Sequence, residues 1–368
     1  MLNDYSEPGR DFDESDLPHY HLKNRSTRRV FQEWLSSNRR SFSIVGCWSR
    51  PLFSGGFDED TSSESEAFNL QTPSMFIDMR FPKARPTEEL RARASVMSCS
   101  DEELRWLARQ HCFSGYSLPT QALEYLYFTR HHIIDWNYHP SFPRPRPNKW
   151  WVQLDNEGDW THQSAAPCNS FKEFSFARDR YNVPVYFERW ARIPGDDSGQ
   201  KYLAVRRKVG CPVEAMKEGR VPERDAVFIV MGSHFAVAVD RPAPLPSFSG
   251  STGPGGPALV DYALDHGRRR EAEEYLDLQG SYGRVDMWKI QRSTHPWLEG
   301  RSFLTPDTEI TMHLRGSGGL ALDKANTVES LLFHGFEWTV LECSFTATEL
   351  VSLFQAKVRT AAGARPRL

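Results

Sequence analysis

The stretch that most limits the fold is Ser43-Ile-Val-Gly-Cys-Trp-Ser-Arg50, an apolar run leading into Gly46-x-Trp48 with Arg50 two residues on. Side chains on a strand alternate between two faces, so Trp48 and Arg50 share one of them. A glycine lets the backbone turn tightly at that point, beside a large indole. The pattern returns later in the chain at Tyr186-Phe-Glu-Arg-Trp-Ala-Arg192, where Trp190 is again followed by an arginine two residues on. Two such openings predict a mainly β chain: two consecutive antiparallel β-barrels with a few short peripheral helices.

Gly-x-Trp on a first strand resembles the opening of lipocalin-type barrels, and that resemblance implies two lipocalin-like units. A length of 368 residues suits two cores better than one. The expected division is a disordered polar arm over residues 1–25, a first barrel over 26–180, a second over 181–345, and a C-terminal helix and tail over 346–368. Aromatic residues make up 12%, with eleven Trp, which suits β-rich cores.

A net charge of -3 gives no broad electrostatic case for nucleic acid. The six cysteines are scattered without metal-ligand spacing and read as reduced, buried thiols. The N-terminal residues lack the pattern of a secretory signal, and no apolar run is long enough to span a membrane, so a cytoplasmic location is the expectation. His131 and His132 are neighbours on a strand and point to opposite faces, so they do not share a metal. No nucleophile elbow, phosphate loop, zinc-protease motif or dinucleotide fingerprint occurs, and no cofactor is expected.

Several elements are legible locally. Val30, Phe31, Trp34 and Leu35 predict a short helix over 27–36. Asp58 to Glu66 is an acidic, serine-rich loop, solvated or a site for an acid-directed kinase. Alternation along Ser74 to Phe81 places Phe76, Asp78 and Arg80 on one face and Ile77, Met79 and Phe81 on the other. If the first face is exterior, Asp78 and Arg80 are a surface pair; if interior, they are a buried pair able to anchor a polar ligand group. Ser100-Asp-Glu-Glu103 is a capping box for a helix over 101–111. Asp225 to Arg241 reads as one long apolar strand bent at Gly232, and 259–274 as a helix. Residues 275–283 and 288–294 read as strands, and Thr346 to Glu349 caps a last helix.

Glu188-Arg-Trp190, Val227 to Gly232, Leu278-x-x-Ser-Tyr-Gly283, Trp297-Leu-Glu-Gly300 and Glu337-Trp-x-Val-Leu-Glu342 occur in this order. In that order they resemble the second half of the fungal Hri-type family, named for interacting with a casein-kinase-I-type kinase. His111 to Gly115 and Trp151 to Thr161 resemble its first half more loosely. The resemblance implies a bilobal, lipocalin-like double barrel of unassigned role. A kinase is a partner by this resemblance alone, since no contact residues match.

The expected cavity lies in the second half. Phe228, Val230, His234 and Ala236 are expected to line one strand face, and Trp288, Ile290 and Arg292 a face of a later strand. Phe228, Val230, His234, Trp288 and Arg292 are the candidate ligand-binding residues. An apolar lumen whose polar groups are His234 and Arg292 suits a small hydrophobic acid. The function expected is noncatalytic binding of such a ligand or of a protein partner. The competing reading is an isomerase- or cyclase-like enzyme acting on a hydrophobic metabolite, with His234, Tyr282 or Arg292 as acid–base groups and His295 near the same mouth.

Overall fold

The computed structural model describes residues 44–55, 65–122, 125–140, 145–154, 169–175, 186–193, 201–207, 224–242, 255–305, 307–315, 327–354 and 358–360. The arm over 1–25, the helix expected at 27–36 and most of the acidic loop lie outside them.

Eight antiparallel strands close into a barrel: β1 (Gly46–Gly55), β2 (Ser65–Gln71), β3 (Met75–Pro82), β4 (His111–Ala122), β5 (Tyr125–Asp135), β6 (Arg146–Leu154), β7 (Ser170–Ser175) and β8 (Tyr186–Arg192). Trp48, Ala67, Phe128, Trp150, Phe171 and Trp190 form one buried cluster although they come from six different strands. Side chains that meet from around a ring in this way face its lumen. Cys47, Leu70, Ile77 and Met79, on the opposite face of their strands, point outward into a larger core shared with the rest of the molecule.

The strand at Tyr186 does not open a second barrel. It pairs with β7 on one edge and with β1 on the other, so it closes the first. The first unit therefore runs through Arg192 rather than stopping at residue 180. Trp48 and Trp190 are both fully buried, but in the same lumen. The likeness between the two Trp strands reflects a shared task, filling one interior from adjacent staves, rather than a repeated start.

The second half is a nine-stranded sheet of β9 (Tyr202–Arg207), β10 (Ala226–Met231), β11 (His234–Val239), β12 (Gln279–Arg284), β13 (Lys289–Ser293), β14 (Ile310–Arg315), β15 (Thr327–Phe333), β16 (Phe336–Cys343) and β17 (Val358–Thr360). Its order is β13-β12-β11-β10-β9-β16-β15-β14-β17, so it ends at β13 and β17 instead of closing into a ring. All its pairings are antiparallel except β14 with β17. One face carries Phe228, Val230, Phe235 and Trp338, which form a core of their own with Trp288 of the β12–β13 turn and Phe354 of the last helix. The other face, with Val227, Ile229, Met231, Ala236 and Ala238, packs into the core shared with the barrel.

Short helices cover that junction. α1 (Glu88–Arg91) precedes α2 (Asp101–Ala108), which begins at the expected Ser100–Glu103 capping box. The helix expected over 259–274 is two, α3 (Gly256–Asp265) and α4 (Arg269–Leu276). The break is at Gly267, whose φ of +68° suits glycine. Bonds from Gly267 N to Leu264 O (3.1 Å) and Arg268 N to Ala263 O (2.7 Å) terminate α3 there. Tyr275 and Leu276, expected in a strand, belong to α4. A last helix, α5 (Ala347–Phe354), is capped by Thr346 and Glu349 as expected.

Directed polar contacts join the halves. Arg105 of α2 reaches Asp261 and Asp265 of α3 at 2.6 Å each. Buried Arg241, just after β11, donates to the Asp135 and Trp136 carbonyl oxygens at 2.8 and 3.0 Å. Glu342 of β16 accepts from Ser74 at 2.7 Å and from Thr72.

Candidate binding site

The expected second-half site does not assemble as one lumen, because two local irregularities reverse which face a residue occupies. Asp225 to Arg241 is a hairpin, not one bent strand. Gly232 and Ser233 form a two-residue turn, with φ +56° at Gly232, and register runs from Val230↔Phe235 to Met231↔His234. Phe228 and Val230 therefore share a face with Phe235 and Val237. They are wholly buried in the outer core, Phe228 lying 5.2 Å from Phe303 and 5.7 Å from Phe333 between ring centroids. His234 faces the barrel instead, on the side of Met231. The second irregularity is in β13: Tyr282 pairs with Arg292 and Gly283 with Ile290, leaving Gln291 as a bulge. Trp288 and Ile290 stay in the outer core, while Arg292 turns toward the barrel.

Arg292 and Tyr282 thus meet barrel residues across the junction. The Tyr282 ring stacks on Phe68 of β2 with centroids 4.1 Å apart, and its hydroxyl lies 2.7 Å from His234 Nδ1. Arg292 Nε donates to Glu66 Oε2 at 2.7 Å. Around them runs a groove of about 700 Å³, lined by Phe68, Tyr282, Ile290 and Pro296 together with Arg85, Arg91, Lys289, Arg292, Glu66 and Glu299. The four cations outnumber the two carboxylates, which are engaged: Glu66 by Arg292 and, at 4.0 Å, Arg85; Glu299 by Arg91 at 3.7 Å. Apolar rings flanked by surplus guanidinium charge suit a ligand with an apolar body and an acidic end.

Burial, reinforced by Arg284, lowers the His234 pKa to about 4. Burial also raises that of Tyr282 far above its usual range. At neutral pH this pair is a neutral imidazole against a protonated phenol. His295 does not join it: its Nε2 lies 3.1 Å from the Leu276 carbonyl and its ring stacks on Trp297.

A second concentration of charge fills the middle of the barrel. Asp78 and Arg80 face inward, the interior alternative of the two drawn from alternation. Asp78 accepts from Arg80 (3.3 Å) and from Arg130 Nη1 (3.0 Å). Glu188 pairs with Arg50 at 2.5 Å and Arg80 at 3.1 Å. Burial opposes ionisation of Asp78, but Arg80 and Arg130 outweigh it and hold its pKa at about 2. Glu173, fully enclosed beside Glu188, is raised to about 8 by burial and then by that neighbour. His132 lies near Asp135 and Arg146, with burial lowering its pKa to about 4. No cluster of three metal-ligating side chains occurs among the described residues, and no described helix is long and apolar enough to cross a membrane.

Fold and sites together define a mainly β protein, a closed eight-stranded antiparallel barrel packed on a second, largely antiparallel sheet with a charged groove at the junction. No family model matches the chain, and no curated protein matches it. Among solved structures it is similar to the uncharacterized protein YLR301w from Saccharomyces cerevisiae, with 11% sequence identity and a TM-score of 0.42 over 82% of this chain and 100% of that one.

Proposed function

We propose that this chain is a noncatalytic cytoplasmic binding protein built on a lipocalin-like barrel, and that it takes a small hydrophobic acid in the groove between barrel and sheet. The observation that carries the reading is the placement of Arg292 beside the stacked Phe68–Tyr282 pair. A carboxylate there meets a guanidinium fork while the rest of the ligand covers ring surface. The surrounding cations Arg85, Arg91 and Lys289 raise the local concentration of anions. The states of His234 and Tyr282 favour binding over acid–base chemistry, since neither group titrates near neutral pH. The resemblance to the Hri-type family, whose role is unassigned, supplies the proposal with neither a ligand nor a kinase contact.

The test is binding of a fluorescent aryl or fatty carboxylic acid to the full chain, compared with its neutral amide. The acid is expected to bind more tightly than the amide and to weaken with salt. Arg292→Met is expected to lose that preference while keeping the wild-type circular dichroism spectrum. Equal affinity for acid and amide, or unchanged affinity in Arg292→Met, rejects the proposal. A protein partner is the second reading, favoured by the charged rim of the groove; it predicts no binding of either small molecule.

A further inference from the structure

We propose that the barrel lumen is a separate binding site for a small oxyanion, a carboxylate in the first instance, gripped by the Nε–Nη2 edge of Arg130. The Arg130 guanidinium lies over two aromatic rings, its Cζ 4.6 Å from the Phe76 centroid and 4.7 Å from that of Trp150. Ring contacts of this kind attract the cation but accept none of its in-plane N–H groups. Asp78 takes Nη1. Nε and Nη2 have no hydrogen-bond partner among the described residues, although Arg130 is only 3% exposed. These two nitrogens form the side-on fork that holds both oxygens of a carboxylate, or two of a phosphate. A buried guanidinium edge with no acceptor costs more than almost any other polar defect, so an acceptor is expected there.

Other lumen groups agree. Fully buried Asn69, opposite Asp78 in the β2–β3 register, has neither amide atom hydrogen-bonded to any of the described residues. The indole N–H groups of Trp150 and Trp190 equally lack an acceptor among the described residues. Charge points the same way. Arg50, Arg80 and Arg130 share Asp78 and Glu188 as their paired carboxylates. Glu173, the third carboxyl, instead accepts from the Tyr186 hydroxyl at 3.1 Å and holds its proton at neutral pH. Within this cluster of described residues the arginines outnumber the carboxylates they pair with, which suits an anionic ligand. None of these lumen groups lines the groove.

The experiment uses the full chain dialysed into chloride buffer and titrated with formate, acetate or phosphate at constant ionic strength. Thermal unfolding and magnetisation transfer from formate to the indole protons are the readouts. Expected are a saturable rise in melting temperature beyond that given by chloride, and transfer from formate to the Trp150 indole. A response to phosphate but not to formate or acetate would overturn the carboxylate assignment. Arg130→Lys keeps the charge but loses the fork, and is expected to weaken formate by about tenfold or more. Arg292→Met, altered in the groove, is expected to respond as wild type. The inference is overturned if no oxyanion exceeds chloride, or if Arg130→Lys binds formate as tightly as wild type. Should Arg130→Lys fail to fold, absence of transfer to Trp150 in the wild-type protein overturns it alone.

Discussion

Glu173 and Glu188 stand directly opposite each other across the β7–β8 pair, two buried carboxyl groups in one cross-strand register. Like charges in that position repel, and the low polarity of the lumen magnifies the repulsion. The barrel relieves it by pairing Glu188 with two arginines and leaving Glu173 its proton.

That relief makes stability depend on pH. Burial and Glu188 raise Glu173 from the usual 4.5 to about 8. The folded state then keeps a proton that the unfolded chain releases. The contribution is fully present below the unfolded pKa and is lost as pH rises through that of the folded state. Glu173→Gln removes the titration and keeps an acceptor for Tyr186. Between about pH 5 and 8, urea unfolding is expected to show wild-type stability changing with a slope lower than that of Glu173→Gln by up to about 1.4 kcal/mol per pH unit. Parallel slopes would show that Glu173 does not keep a proton in the folded state.

Glu66 competes with any acidic ligand for Arg292, since it already accepts from Nε. It is half-exposed, so the pair is worth little and yields readily. Glu66→Gln is therefore expected to tighten binding of a hydrophobic acid by about two- to fivefold. Titration of the same fluorescent acid used against Arg292→Met measures it, and weaker binding would place the acid elsewhere.

Trp190 is wholly enclosed, with its ring 6.4 Å from that of Phe171 in the lumen cluster. Truncation leaves a cavity that the closed ring of strands cannot collapse to fill. Trp190→Ala is expected to cost about 3–5 kcal/mol in denaturant unfolding. A loss under about 1 kcal/mol would show that the lumen repacks.

Gly283 allows β12 to approach β13 at the bulge. A Cβ there would lie 2.1 Å from the Lys289 carbonyl oxygen and 2.7 Å from the Phe235 ring. Neither is the loose end of a flexible side chain. Gly283→Ala is expected to destabilise by about 1–3 kcal/mol and to shift Arg292, weakening acid binding as well. Wild-type melting and affinity in this variant would deny the bulge its role in aiming Arg292.

What the sequence revealed was local, and what it hid was relational. The Ser100–Glu103 box marks the start of a helix because capping is decided within one turn. Alternation put Asp78 and Arg80 on one face, but a pattern of period two does not say which face is inside. Arg292 was singled out for an acidic partner, and it has one in Glu66, reached across the junction rather than within a lumen. The Gly232–Ser233 turn and the Gln291 bulge each reverse a face, which separated His234 from Phe228 and Arg292 from Ile290. Arg130 was not singled out at all. Its importance lies in what surrounds it, two rings and a carboxylate from strands distant in sequence, and a lone arginine in a strand carries no sign of that.

The pairing of first strand with last has a kinetic consequence. β1 must wait for β8 before the ring closes, and β9, the first strand of the sheet, lies against β16. Each half is completed only when two segments far apart along the chain find one another. The entropy of closing such long loops is met before any contact repays it, so folding is expected to be slow. During synthesis β1 emerges with an unsatisfied edge that stays open until Arg192 has left the ribosome, and in that interval it is the segment most exposed to pairing with a neighbouring nascent chain.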